Sequence, residues 1–109
     1  MRTILKEYLN LTDAGGTLIQ SKNVAEDTET VTVEKLLITN TDTTTVEISI
    51  WLYLATATPT TVYILKAVPI KVGETLDVFV DTPFKYDGYY ALLADAAAGH
   101  TADVIINYY

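Results

Sequence analysis

The sequence predicts an all-β fold, an antiparallel β-sandwich of jelly-roll type with about eight short strands. Threonine, valine, isoleucine and tyrosine are abundant, and such β-branched and aromatic residues suit pleated, half-buried strands. Apolar and polar residues alternate with a period of two in several segments, whereas none shows a helical period. Turn residues separate these segments about every 8–12 positions, a spacing typical of sandwiches and jelly rolls.

The clearest strand is predicted over residues 46–54. Val46, Ile48, Ile50, Leu52 and Leu54 fall on one face of this segment, which is expected to be the buried face. The opposite face begins polar and becomes aromatic, with Glu47, Ser49, Trp51 and Tyr53. The aromatic part of that face is therefore expected to contact another surface.

A preceding strand is predicted over residues 30–40. The apolar run 36–38 breaks its alternation, which indicates either a β-bulge or a stretch buried on both faces. The turn-forming cluster 40–45 then separates two apolar runs, so a hairpin is expected between this strand and the strand over 46–54.

Four further segments complete the main body of the predicted fold. Strands are expected over 61–68, 76–81, 89–94 and 102–109, with a turn at 85–88 and a loop at 95–100. Pro69 follows the first of these strands and lacks a backbone N–H, which predicts an edge or crossing segment there. The strand order stays open between a jelly roll and an immunoglobulin-like sandwich.

The N-terminal part is predicted to be separable from the sandwich. Segments 2–9 and 17–20 flank the glycine-containing turn 13–16, which favours a hairpin. Segment 22–29 is acidic and lacks apolar periodicity, so it is expected to act as a hinge. The predicted organisation is an N-terminal hairpin or arm with its hinge over 1–28, followed by a β-sandwich domain over 29–109.

Composition excludes several classes of function. Fourteen acidic and seven basic residues give a formal charge of −7, which argues against binding to nucleic acids or to anionic membranes. The absence of cysteine excludes disulfides, thiolate zinc sites and cysteine nucleophiles. The N-terminus lacks the continuous apolar stretch of a signal peptide, so synthesis in the cytoplasm is expected.

Residues with catalytic or metal-binding chemistry are scarce. His100 is the single histidine, and a serine triad could use only Ser21 or Ser49, neither of which lies in a Gly-x-Ser-x-Gly elbow. The sequence therefore predicts a protein that is not an enzyme and has no catalytic residues, cofactor or metal. A calcium site is the weaker alternative, and its candidate ligands are Asp81, Asp87, Asp95 and Asp103.

The aromatic residues are the main candidates for function. Neighbours in a strand point to opposite faces, so Tyr89–Tyr90 and Tyr108–Tyr109 are each expected to supply one core ring and one outward ring. Outward rings favour a subunit or partner contact, cover by another part of the chain or, less strongly, sugar stacking. The candidate interface residues are Arg2, Ile4, Tyr8, Trp51, Tyr53, Tyr90 and Tyr109.

Two segments carry a resemblance to a known class of proteins. The first, LLITNTDTTTVEISIWLYL (36–54), has a strand, a turn and a long alternating strand. The second (63–109) contains PIKVGETL, the strand exit DTPF, an alanine-rich loop and a terminal alternating strand. Through this layout, residues 29–108 resemble small β-sandwich virion proteins of tailed bacteriophages, which include decoration (cement) proteins and tail or neck components.

The resemblance implies a structural role without catalytic residues. The favoured expectation is a capsid decoration protein that binds the major capsid protein as a homo-oligomer, with a trimer favoured, on the surface of a virion assembled in a bacterial cytoplasm. A tail, neck or collar component is the first alternative, and a carbohydrate-binding module is the second.

Overall fold

The computed structural model describes residues 4–5, 9–11, 16–19, 30–55, 58–97 and 100–108, with side chains described from residue 16 onward. All regular elements of this part are strands, and no helix in it is long and apolar enough to cross a membrane. The strands are β1 (Ile4–Leu5), β2 (Leu9–Leu11), β3 (Gly16–Ile19), β4 (Thr30–Asn40), β5 (Val46–Leu54), β6 (Thr60–Ile70), β7 (Thr75–Asp77), β8 (Phe84–Asp87), β9 (Ala91–Ala96) and β10 (Ala102–Tyr108).

The strands form two antiparallel sheets. Sheet I has the order β1-β10-β4-β7, with β2 also paired to β10 and β8 also paired to β4. Sheet II has the order β3-β9-β5-β6. Strands β1 and β2 contact successive parts of β10, and β7 and β8 contact successive parts of β4, so each pair acts as one interrupted strand.

Counted in this way, the described residues form eight strands with a jelly-roll order. Numbered along the chain, sheet I reads 1-8-3-6 and sheet II reads 2-7-4-5. This is the arrangement of two interlocked Greek keys that defines a jelly roll. The predicted all-β sandwich of jelly-roll type is thus confirmed, and the immunoglobulin-like alternative is excluded by the strand order.

The core lies between the two sheets and consists of β-branched and aliphatic side chains. Strand β5 follows the predicted alternation, because its residues from Val46 to Leu52 are buried at every second position. Such regular burial on one face fixes the register, since a shift by one residue would expose the whole apolar set. The largest fully buried side chains are Val33, Leu36, Ile38, Val46, Ile48, Ile50, Leu92, Val104 and Ile106.

Strand β4 contains the irregularity that its sequence indicates. Asn107 of β10 lies opposite Lys35, but the next residue, Tyr108, lies opposite Val33, so Glu34 is an extra residue in β4. The bulge therefore precedes the apolar run 36–38. It leaves Glu34 and Lys35 both exposed and returns Leu36 to the core.

The hairpin expected between β4 and β5 is wrong. Strand β4 pairs with β10, β7 and β8 in sheet I, whereas β5 pairs with β6 and β9 in sheet II. The turn 40–45 therefore crosses from one sheet to the other. The reason is that β4 and β5 lie in opposite sheets of the jelly roll, so their apolar faces pack against each other across the core. In the described chain, the consecutive strands that form a direct hairpin are β5 and β6.

The expected N-terminal hairpin is also wrong. Strand β2 pairs with β10 in sheet I and β3 pairs with β9 in sheet II, so the glycine-containing segment between them again connects two sheets. Leu18 and Ile19 of β3 are buried in the common core. The hinge over 22–29 lies outside the described residues, and the division of the chain at residue 28 stays a prediction.

Several boundaries in the second half of the chain differ from expectation, since β6 spans Thr60–Ile70 and β9 spans Ala91–Ala96. The strand expected over 76–81 ends at Asp77, because the following residues form turns in which Asp81 takes a φ of 65°. Phe79 stacks on Phe84 there, with ring centroids 4.8 Å apart. Residues 85–88 are not simply a turn, since β8 extends to Asp87 and pairs with the first part of β4.

Candidate interaction surface

Aromatic residues meet on the outer face of sheet II. The alternation of β5 directs Trp51 and Tyr53 away from the core, and both are half-buried. In the β5–β6 register Trp51 lies opposite Tyr63, and Tyr53 lies opposite Thr61. We call Trp51, Tyr53, Tyr63 and Lys66 the aromatic outer patch.

Two rings of this patch are in contact with each other, and one also contacts the lysine. The centroids of Trp51 and Tyr63 are 5.9 Å apart, with the ring planes tilted by 48°. Lys66 Nζ lies 4.8 Å from the centroid of Tyr63, within the range of a cation–π contact. Tyr63 is 48% exposed although it is a large aromatic residue, so one of its surfaces is available to a partner.

Irregularities in β6 place the side chains of the patch. Between Ile48 and Trp51, strand β6 contains two extra residues relative to β5, so it is bulged twice. At one bulge Ala67 takes a φ of 54°, and its N–H donates a hydrogen bond of 3.0 Å to Ser49 Oγ. Lys66, next to this bulge, is thereby held near Tyr63.

The structure locates part of the predicted interface. Trp51 and Tyr53 share the aromatic outer patch, whereas Tyr90 is half-buried and packs against the core. Ile4 belongs to β1 and lies opposite Tyr108, and its side chain is not described. The other predicted positions, Arg2, Tyr8 and Tyr109, lie outside the described residues.

The expectation for the tyrosine pairs needs a correction. Tyr89 and Tyr90 do not lie in a strand but in the turn before β9, so strand alternation does not separate their rings, and both are half-buried. Tyr108, at the end of β10, packs against the core. The orientation of its neighbour, Tyr109, lies outside the described part of the chain.

A second cluster of polar side chains lies at one end of the sandwich. Because β4 pairs with β10 and β5 pairs with β9, the β4–β5 turn and the β9–β10 loop lie side by side. Buried Asn40 is central to this cluster: its Nδ2 donates hydrogen bonds to the carbonyl oxygens of Ile70 at 2.8 Å and Thr44 at 2.9 Å. Its Oδ1 accepts a hydrogen bond of 2.8 Å from the N–H of Asp42.

Asp42 and His100 join the two loops directly. Their atoms Oδ2 and Nδ1 are 2.5 Å apart, and Asp42 Oδ1 accepts a hydrogen bond of 2.7 Å from the N–H of Thr43. The bond from Thr43 and the bond from His100 hold the pKa of Asp42 below its usual value. We call Asn40, Asp42, Thr44 and His100 the loop-end cluster.

This cluster does not have the geometry of a catalytic triad. In a triad the histidine contacts the carboxylate through one ring nitrogen and the nucleophile through the other. Here Thr44 Oγ1, at 3.4 Å, approaches the same Nδ1 that faces Asp42. Ser49 lies on β5 and accepts from Ala67, and the other candidate nucleophile, Ser21, lies outside the described residues.

The acidic residues considered for calcium do not come together. Asp95 belongs to β9 in sheet II and lies opposite Ser49, whereas Asp103 belongs to β10 in sheet I. Asp81 lies in the turn before β8, and Asp87 is the last residue of β8. Within the ranges described, no three histidine, aspartate or glutamate side chains are grouped so that they could hold a metal ion.

Sequence reasoning missed Tyr63, Lys66 and the loop-end cluster. The direct β5–β6 hairpin would have placed Tyr63 near Trp51, but the two bulges that bring Lys66 beside it leave no clear pattern in the sequence. Asp42 is 58 residues from His100 along the chain, and the two meet only because the jelly-roll strand order brings their loops together.

The chain matches no family model, no curated protein and no solved structure. Functional inference therefore depends on its residues and their geometry.

Proposed function

We propose that this chain is a non-enzymatic structural protein of a tailed-phage virion, most specifically a capsid decoration protein that binds and stabilises the shell of major capsid protein. The observation that carries the proposal is the aromatic outer patch. Trp51 and Tyr63 form a partly exposed pair on a rigid sheet, beside a cation, and such residues are enriched where proteins bind each other.

The layout of residues 29–108 supports a role in a virion. Its order of strands and turns resembles that of small β-sandwich virion proteins of tailed phages. A 12.0 kDa domain stabilises a shell by binding many symmetry-related sites, where modest contacts add up through avidity. The formal charge of −7 keeps such an abundant protein soluble before assembly.

Binding to capsids tests the proposal. Capsids made from the major capsid protein of the same genome are mixed with the purified chain, and bound protein is quantified after sedimentation. We expect saturable binding that raises the melting temperature of the shell. Trp51→Ala should weaken binding at least about ten-fold, because truncating an interface anchor costs more than about 1.4 kcal/mol.

Tyr89→Ala is the matched control for this experiment, because it truncates a half-buried aromatic residue outside the aromatic outer patch. Circular dichroism of both variants separates loss of binding from loss of fold. The absence of saturable binding by the wild-type chain to capsids would overturn the decoration role.

A tail, neck or collar component is the alternative within the same class. The copy number in purified particles separates the two roles. A copy number that matches the capsid lattice supports decoration, whereas one set by the ring symmetry of a portal or tail supports the alternative.

The tilted Trp51–Tyr63 pair also favours a second candidate, carbohydrate binding. Exposed aromatic faces can stack on sugar rings, and jelly rolls include lectin domains. A glycan array tests this function. Specific binding that Trp51→Ala abolishes and Tyr89→Ala leaves intact would favour it over a role in the virion.

A further inference from the structure

The two halves of strand β6 differ in how they are protected against pairing. Among the described residues no strand pairs with the second side of β6. Its C-terminal half carries both bulges, the positively charged Lys66, the left-handed Ala67 and Pro69, which has no N–H. These features are the ones by which natural sheets prevent edge-to-edge association.

The N-terminal half of β6 has none of these features. Residues 60–63 pair with β5 without a register shift, and all four are exposed. Val62 and Tyr63 are 47% and 48% exposed. The sequence from Ala55 to Leu65 contains no charged residue, although charged residues make up 19% of the chain.

We propose that the segment 60–63 of β6 pairs antiparallel with the same segment of a second copy, so that sheet II continues across a two-fold axis perpendicular to the sheet. An isologous contact requires a surface that is complementary to itself, and an antiparallel pair of identical edges meets this requirement. The proposal does not depend on the function proposed above.

Charge argues for a second copy as the occupant. Each chain has a formal charge of −7, so two copies repel each other over most of their surfaces. The uncharged segment around residues 60–63 is where two acidic chains can approach without opposing carboxylates. Pairing there also places the two aromatic outer patches on one continuous sheet.

The contact is expected to be weak and dependent on concentration. Four residues on each side form a short pairing segment, which buries less surface than a stable dimer interface of roughly 1,200–2,000 Å². A reversible equilibrium between monomer and dimer is therefore the expected behaviour of the purified full chain.

Light scattering at several concentrations tests the proposal. The mass is expected to rise from 12.0 kDa toward twice that value. Because the two-fold axis is perpendicular to the sheet, Thr61→Lys and Val62→Lys each place two like charges close together on the same face of the joined sheet and should each raise the dissociation constant at least about ten-fold. Val72→Lys is the matched control, since Val72 is 52% exposed but lies in the turn after β6, and it should leave the constant unchanged.

Hydrogen exchange provides a readout on the unaltered chain. Amides within residues 60–63 that face away from β5 should become protected as the concentration rises, whereas the amides of Ala67, Val68 and Ile70 in the bulged half should not change. A monomer at all concentrations, a trimer, or a dimer that neither lysine variant in β6 weakens would overturn the proposal.

Discussion

Strands β4 and β6 are equal in length and similar in composition, but they have opposite places in the fold. Each has eleven residues. Strand β4 has neighbours on both sides and buries six of its residues, whereas β6 is a sheet edge and buries one, Ile70. The comparison shows that β-propensity identifies a strand without determining its neighbours.

The irregularities of the two strands have different consequences. The single bulge of β4 faces β10, lies between the parts of the strand that pair with β8 and β7, and restores the burial of Leu36. The two bulges of β6 protect one half of an open edge and leave the other half regular. One half of an edge strand can therefore be protected against association while its other half stays available for it.

The largest expected effect compares the same substitution in both strands. Val33 of β4 is fully buried and Val62 of β6 is 47% exposed. Val33→Ala should lower the free energy of unfolding by about 2–3 kcal/mol, because it removes buried methyl groups and leaves a cavity. Val62→Ala should change it by less than about 0.5 kcal/mol. Urea unfolding followed by the fluorescence of Trp51 measures both, and equal losses would contradict the assignment of centre and edge.

The second prediction concerns the side chain that links the ends of the two strands. Asn40 closes β4, and its amide donates to the carbonyl of Ile70, the last residue of β6. Asn40→Ala should cost about 1–3 kcal/mol, because the buried carbonyl loses its partner. Thr41→Ala, at the exposed next residue, is the control and should cost less than about 0.5 kcal/mol. A loss for Asn40→Ala no larger than that of the control would show that the link contributes nothing.

The sequence predicts the faces of strands better than their partners. The alternation in β5 reflects burial on one side, a local property that a period of two reveals directly. The partner of β4 is β10, more than sixty residues away along the chain, and no local signal encodes that pairing. The turn 40–45 has the composition of a hairpin, yet it crosses between sheets because the apolar faces of β4 and β5 must pack against each other.

The candidate site was predictable to a similar degree. Alternation alone places Trp51 and Tyr53 on an outer face of β5. Lys66 reaches Tyr63 through bulges, which displace residues from the simple period. His100 meets Asp42 through the strand order of the whole domain, so no pattern within either loop predicts the contact.

The third prediction concerns the protected half of β6. Ala67 has a φ of 54°, a conformation that glycine adopts without the steric cost of a Cβ atom. Ala67→Gly should raise the free energy of unfolding by about 0.5–1 kcal/mol. Ala91→Gly in the regular strand β9 is the control and should lower it by a similar amount. Destabilisation by both variants would contradict a strained backbone at Ala67.

The smallest expected effect is a dependence of stability on pH at the turn that follows β4. The folded state lowers the pKa of Asp42 from its ordinary value of 3.8, so the carboxylate stabilises the fold above that pH, and the contribution is lost as the pH falls through the lowered pKa. Asp42→Asn should therefore reduce the melting temperature near neutral pH, and the difference from the wild type should vanish in strong acid. Glu34→Gln removes the same charge from the exposed bulge of β4 and is the control. A difference between Asp42→Asn and the wild type that persists in strong acid would show that Asp42 stabilises the fold by something other than its ionised carboxylate.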